Sequence, residues 1–242
     1  MRGFEGYVGG QMGSGQAVND LAFVMLLALA FAFSLLFNAY PYLFGRMLRN
    51  VFHAKERESS FDASTGNEGL FRSFMDFQAL FLASLFLFLA GYRSGLFPAG
   101  MDMDNYLLLF GFFFAVALLF YFSKRFLYLL LGFTFASPEQ YRLWRVGYSA
   151  GIGFWGVTLY LPVVILAFTR MDLHWLLFVF VLLFLLWRIA LNYKTISLFE
   201  LRFGNILYIF LYLCAQEMMP LLCLYEGMKY MYNLFEINTL WV

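Results

Sequence analysis

Charged residues are scarce in this chain. Asp, Glu, Lys and Arg make up only 13% of its 242 residues, whereas hydrophobic residues make up 63%. Soluble domains have about 25% charged and about 45–50% apolar residues. The composition therefore excludes the soluble globular class and indicates a polytopic membrane protein. The net charge of only +1 provides no field that would attract nucleic acid, so we expect no nucleic-acid partner.

Cysteine and histidine are nearly absent as well. Cys214 and Cys223 lie on one predicted helix, where their spacing corresponds to about 13 Å, which is too far for a disulfide. His53 and His174 fall on opposite sides of the membrane in the topology derived below, so they cannot share a haem or a metal ion. We therefore expect no cofactor and no metal site.

The common catalytic motifs are missing too. The sequence contains no Gly-x-Ser-x-Gly elbow, no His-Glu-x-x-His zinc helix and no phosphate-binding Gly-rich loop ending in Lys-Ser/Thr. Because only one carboxylate is expected deep in the membrane, a two-aspartate intramembrane protease is also unsupported. The sequence disfavours the enzyme class without deciding the question.

Long apolar segments dominate what remains. Six of them reach the roughly 20 residues that a helix needs to cross a bilayer. They are 21–40, 75–92, 105–123, 147–168, 173–193 and 204–226. We predict an all-α, polytopic transmembrane helical bundle of six spans over residues 21–226. A polar, Gly-rich tail (1–20) precedes it and a short C-terminal tail (227–242) follows.

Basic residues are distributed unevenly between the two sides of this bundle. Twelve of the 16 Lys and Arg residues lie on one side: Arg46, Arg49, Lys55, Arg57, Arg72, Lys124, Arg125, Arg142, Arg145, Arg188, Lys194 and Arg202. The positive-inside rule assigns that side to the cytoplasm and both termini to the opposite side of the membrane. Trp144 adds an aromatic ring to this basic inner face.

Two further apolar stretches on the cytoplasmic side are predicted to be interfacial. Residues 42–53 alternate apolar and polar positions at helical spacing, as in a helix lying on the membrane surface. Residues 126–136 are apolar but too few to span. A surface position is favoured for them over a re-entrant segment or an extension of the third span. Pro138, directly after Ser137, is predicted to be the first residue of the next helix.

Glu217 is the most informative single residue. It lies about 20 Å from the cytoplasmic end of the sixth segment, near the membrane midplane, where an ionisable group costs about 2.5–3.5 kcal/mol. Pro220 frees the backbone carbonyl of Gln216, so amide, carbonyl and carboxyl groups meet at one kink. Thr158 and Tyr160 fall at a similar depth and are the expected partners of this intramembrane polar site.

Three interpretations of Glu217 remain open from sequence. A protonated side chain could hydrogen-bond across the bundle and hold helices together. It could instead carry a proton or bind a small cation. A role in binding a partner or in catalysis is the third.

The fourth and fifth segments have two further features. Gly147, Gly151 and Gly153 belong to small-xxx-small patterns, which let helix backbones approach closely. A tight crossing within one subunit is favoured over a homodimer contact, so a homo-oligomer stays open. Arg188, about one and a half turns from the cytoplasmic end, is expected to extend to the inner surface.

Three sequence elements together resemble a known family. They are Lys124-Arg-Phe-Leu-Tyr128, Tyr141-Arg-Leu-Trp144 and Leu211-Tyr-Leu-Cys-Ala-Gln-Glu-Met-Met-Pro-Leu-Leu222. The chain resembles, over roughly residues 20–226, an uncharacterised family of multi-span inner-membrane proteins from Bacteroidetes, known as a domain of unknown function. The resemblance implies a bacterial cytoplasmic membrane, that is, a cell inner membrane with both termini in the periplasm, and it supplies no activity.

Two function classes follow from these observations. The first is a non-enzymatic subunit, or an assembly or scaffold factor, that binds a protein partner or anionic membrane lipid through its basic inner face. The alternative is a small proton- or ion-coupled transporter that uses Glu217 at the Pro220 kink.

Overall fold

The computed structural model describes residues 16–45, 66–97, 103–135, 138–198 and 226. Five long helices account for most of this part of the chain. They are α1 (Gln16–Ala39), α2 (Gly66–Arg93), α3 (Met103–Phe135), α4 (Pro138–Phe168) and α5 (Leu173–Leu198). No strand occurs within these ranges. Each helix contains a stretch long and apolar enough to cross a membrane.

The five helices correspond to the first five of the six predicted spans. The all-helical, membrane-type architecture is therefore confirmed for the described residues. The sixth segment, 204–226, lies outside them except for residue 226, and so does the C-terminal tail, 227–242. Of the predicted N-terminal tail, 1–20, residues 16–20 belong to α1 and residues 1–15 lie outside the described ranges. A bundle of six spans consequently stays a prediction.

Consecutive helices run antiparallel in an up-and-down bundle. The Phe23 ring at the start of α1 contacts the Phe168 ring at the end of α4. Tyr92 at the end of α2 contacts Tyr106 at the start of α3, with 5.8 Å between ring centroids. Each helix therefore runs in the opposite direction to the helix before it in the chain.

Helix α2 lies at the centre of the bundle. It packs against the other four helices, and its largest interface is with α4. Leu82, Leu85 and Phe86 are completely buried in the main hydrophobic core. Phe86 also stacks on Phe180 of α5, with ring centroids 4.3 Å apart. The peripheral helices α1, α3 and α5 carry many of the exposed large apolar side chains, as expected for surfaces that face lipid.

The connection between α3 and α4 corrects one expectation. Residues 126–135 do not form a separate helix on the membrane surface, because α3 continues without a break from Met103 to Phe135. Lys124, Arg125 and the Phe and Leu residues after them are tolerated or favoured in helices, and no proline interrupts them. Their backbone hydrogen bonds therefore continue past the charged pair. Helix α4 begins at Pro138, as predicted.

The predicted interfacial helix at 42–53 is described only at its start. Residues 41–45 are helical. The Phe44 ring packs against those of Phe33 and Phe37 near the end of α1, with centroids 6.1 and 5.5 Å apart. The chain therefore turns back onto α1 at this point. Residues 46–53 lie outside the described ranges, so their interfacial position stays a prediction.

Candidate functional site

A buried carboxylate joins three helices of the bundle. Asp76 of α2 is only 8% exposed. The Tyr121 hydroxyl of α3 donates a hydrogen bond of 2.8 Å to its Oδ2 atom. The Ser149 hydroxyl of α4 donates one of 3.1 Å to Oδ1. Each carboxylate oxygen thus accepts a hydrogen bond from a different neighbouring helix. We call Asp76, Tyr121 and Ser149 the carboxylate cluster.

Arginines surround the carboxylate cluster on one side. Arg125 lies one turn after Tyr121 and donates a hydrogen bond of 3.1 Å to its hydroxyl oxygen. Arg72 lies one turn before Asp76 on α2 and pairs with Glu68 in the preceding turn. These positive charges offset part of the cost of burying a carboxylate. The hydrogen-bonded chain from Arg125 through Tyr121 to Asp76 also fixes the orientation of α3 against α2.

This arrangement suits a connection between helices better than a cation site. Both oxygens of Asp76 already accept hydrogen bonds, and the nearby arginines would repel a cation. No group of three or more His, Cys, Asp or Glu side chains with metal-binding geometry occurs in the described ranges. The hydrogen bonds of Asp76 connect three helices within a low-dielectric bundle.

The carboxylate cluster also defines a basic end of the bundle. Arg72, Arg125 and Arg145 each lie one turn from a cluster residue, all in the same direction. Arg125 and Arg145 are exposed there. Lys124 is buried, with its ammonium 5.2 Å from the Phe120 ring centroid. Three other residues predicted for this face lie on α4 and α5: Arg142, Trp144 and Lys194. The structure describes their backbone but not their side chains.

Arg188, like Lys124, is buried, whereas Arg125 and Arg145 of the predicted inner face are exposed. It is 6% exposed and so does not extend to the surface of the protein. Its guanidinium lies 5.2 Å from the Trp187 ring centroid and 5.6 Å from that of Phe184. Arginine is weakly hydrated and stacks on aromatic faces, which explains why this cation is placed inside the bundle.

The glycines of α4 lie at helix crossings. Gly147, Gly151 and Gly153 are all buried. A Cβ atom added at Gly151 would lie 2.9 Å from Leu191 Cδ2 on α5. Close approach to α5 therefore occurs at Gly151, one of the glycines chosen from sequence.

Gly156, which the sequence analysis did not single out, makes the tightest contact described between two backbones. A Cβ atom added there would lie 2.9 Å from Cα of Ala79 and 3.1 Å from its backbone nitrogen, on the central helix α2. The α2–α4 interface therefore requires glycine at this position.

The proposed partners of Glu217 are only partly described. Thr158 donates a hydrogen bond of 2.7 Å to the backbone carbonyl of Trp155 in its own helix. The Tyr160 hydroxyl is buried and has no hydrogen-bond partner among the described residues. Glu217, Gln216 and Pro220 lie outside those residues. Their contact with Thr158 or Tyr160 therefore stays a prediction.

Sequence reasoning missed the carboxylate cluster because Asp76 stands at the edge of the predicted second span, 75–92. An acid in the first turn of a span is readily taken for an interfacial residue. The available signal was its spacing: Arg72 and Asp76 are four residues apart on a helix that then continues through Gln78 and Ser84. A helix with that many polar positions must face protein rather than lipid.

Comparison with known families and proteins gives one result. A family model described as Domain of unknown function (DUF4271) matches residues 22–228. Neither the functionally curated proteins nor the solved structures yielded a match. The family match covers α1 from residue 22, the other four described helices and the predicted sixth segment, so the chain belongs to the DUF4271 family.

Proposed function

We propose that this protein is a non-enzymatic subunit, or an assembly or scaffold factor, embedded in a bacterial inner membrane. The observation that carries the proposal is the carboxylate cluster, in which both oxygens of Asp76 are occupied by hydrogen bonds between helices. A catalytic or transported-ion site would need a polar group that is free to react or to bind. The Asp76 carboxylate instead holds α2 to α3 and α4.

The basic end is the surface that a partner would recognise. Arg125 and Arg145 are exposed there, next to helices whose outer faces are apolar. A partner with an acidic segment close to the membrane would match this charge. Anionic lipid headgroups would match the same charge.

Affinity purification from native membranes, followed by mass spectrometry, tests this function. We expect a stoichiometric protein partner with the wild-type chain. Arg145→Glu should reduce its recovery, since it reverses an exposed charge at the basic end. Arg170→Glu is the matched control, because Arg170 is exposed just beyond the opposite end of α4. A protein that purifies alone from gently solubilised membranes would contradict the proposal. The weight would then move to the transporter alternative at Glu217 and Pro220.

The proposed orientation places the basic end in the cytoplasm and both termini in the periplasm. The distribution of Lys and Arg supports it. Cysteines introduced singly in the 55–69 loop should resist a membrane-impermeant thiol reagent in intact cells and react after lysis. Labelling of that loop in intact cells would reverse the orientation.

A further inference from the structure

Arg125 of α3 is an exposed arginine whose position along the helix matches the level of lipid phosphates. Asp104 is exposed near the start of the same helix. At 1.5 Å per residue, Arg125 lies about 32 Å from Asp104 along the helix axis, close to the thickness of about 30 Å of the hydrocarbon core of a bilayer. When α3 crosses a membrane, these two charges therefore lie at its opposite surfaces, and Arg125 is at the surface of the basic end.

The guanidinium of Arg125 is held in place but keeps donors for a ligand. Its Nη1 atom donates a hydrogen bond of 3.1 Å to the Tyr121 hydroxyl, which itself donates to Asp76. A guanidinium has five N–H donors in a planar fork that matches the geometry of phosphate. Because Arg125 is exposed, its other donors are accessible to a ligand outside the bundle. A side chain that is already oriented loses less conformational entropy when it binds.

An apolar stripe on α3 leads from Arg125 toward the interior of the membrane. Its residues follow Arg125 at spacings of three or four positions, so they share one face of the helix. They are Phe122, Leu118, Ala115 and Gly111, all exposed except the half-buried Leu118. From Arg125 to Gly111 the stripe is about 21 Å long, which exceeds the depth of about 15 Å of one leaflet. The stripe therefore provides a surface for a whole acyl chain.

Charge distinguishes between the two occupants that would fit this stripe. Gly111 and Ala115 are small enough to let the helix of a second copy approach closely. That copy would have the same orientation in the membrane, so it would bring its own Arg125 to the same end, where the two cations repel. An anionic phospholipid instead has a phosphate at that end and an apolar chain along the rest. The charge of Arg125 therefore favours the lipid.

We propose that α3 binds one anionic phospholipid in the leaflet at the basic end, with its phosphate on Arg125 and one acyl chain along the stripe. This deepens the proposed function by naming the lipid class that the protein binds, and it rests on that function only in placing α3 across a membrane. Arg145 belongs to a different surface. It lies one turn from Ser149, on the face of α4 that meets α2.

Native mass spectrometry of the full-length chain, released from vesicles of equal phosphatidylglycerol and phosphatidylcholine, tests this selectivity. We expect about fivefold more retained phosphatidylglycerol, the factor that one arginine near an anionic headgroup contributes. Arg125→Gln should remove the preference. Arg145→Gln, which removes the same charge at the same end of the bundle, should keep it. Equal retention of the two lipids by the wild type would overturn the proposal without any variant, and so would equal losses in the two variants.

Photo-crosslinking identifies the occupant directly. A benzoylphenylalanine introduced at Phe122 should form adducts enriched in phosphatidylglycerol, because this position follows Arg125 on the stripe. The same group at Phe31, an exposed phenylalanine of α1, should label the two lipids equally. A crosslinked pair of chains at position 122 would identify a second copy on the stripe and overturn the proposal.

The outcomes separate this inference from the proposed function. If phosphatidylglycerol selectivity is absent while the protein partner is still recovered, the proposed function stands and the lipid site does not. If the chain purifies without a partner but keeps a selectivity that depends on Arg125, the lipid site stands and the proposed function does not.

Discussion

Helices α2 and α3 are both long and apolar enough to cross a membrane, but they occupy opposite environments. Of the most apolar stretch of α2, 72% is buried, whereas only 11% of that of α3 is buried. Helix α2 contains the buried polar residues Asp76, Gln78 and Ser84. The α3 sequence from 105 to 123 has no charged residue. The more polar helix is therefore the central one.

The reason is that in a bilayer apolar side chains are not driven into the protein core as they are in water. Lipid tails are as apolar as leucine, so exposed side chains such as Leu107, Leu108 and Leu119 of α3 gain little from contact with protein. A carboxylate that accepts hydrogen bonds from neighbouring helices, as Asp76 does, gains a great deal, because its alternative is hydrocarbon. Polar positions and small residues, rather than hydrophobicity, determine which helix is buried.

The largest loss of stability that would test the contrast between α2 and α3 is expected from substituting a glycine. Gly156→Leu should destabilise the protein by about 3 kcal/mol, since the new side chain would meet the Ala79 backbone at the α2–α4 crossing. Gly111→Leu on α3 is the matched control, because no atom lies within 4 Å of a Cβ added there. Unfolding by SDS in mixed micelles, followed by circular dichroism, measures both. Equal losses would show that the two helices are equally constrained.

Truncating a leucine to alanine should also distinguish α2 from α3, with a smaller difference in the free energy of unfolding. Leu82→Ala in α2 should cost roughly 2 kcal/mol, because the completely buried side chain leaves a cavity. Leu108→Ala in α3 should cost almost nothing, since lipid fills the vacated space. The same unfolding titration reports the difference. A substantial loss for Leu108→Ala would mean that this face of α3 contacts protein in the native assembly.

The carboxylate cluster should contribute less than either packing effect. A double-mutant cycle of Asp76→Ala and Tyr121→Phe should give a coupling free energy of about 1 kcal/mol, the size expected for a hydrogen bond between membrane helices. Asp104→Ala with Tyr121→Phe is the control cycle. Asp104 is exposed at the far end of α3, so that pair should be additive. A coupling near zero for the first pair would mean that the cluster does not hold α2 to α3.

The positions of the helices could be predicted from the sequence more reliably than the contacts between them. Segment length and composition were enough for the five described spans, because a bilayer sets a minimum length that 24–33-residue helices satisfy. They could not show that α3 continues to Phe135, since an apolar run after Lys124 and Arg125 fits either a surface helix or a longer one. Which face of α2 meets Tyr121 and Ser149 depends on helix rotation, which sequence leaves open without a pairing signal.

Substitution of Glu217 should have the smallest effect on stability. The result would show whether Glu217 differs in role from Asp76. If Glu217 is a protonated hydrogen-bonding group, Glu217→Gln keeps the shape and a donor, so stability should change by less than about 0.6 kcal/mol. Combining it with Tyr160→Phe tests the expected partner, whose hydroxyl is buried. Proton flux in reconstituted vesicles is the decisive second measurement. Flux in the wild type that Glu217→Gln abolishes, at unchanged expression, would replace the scaffold with a proton-coupled carrier. Absence of flux in both would leave Glu217 as a structural acid, like Asp76.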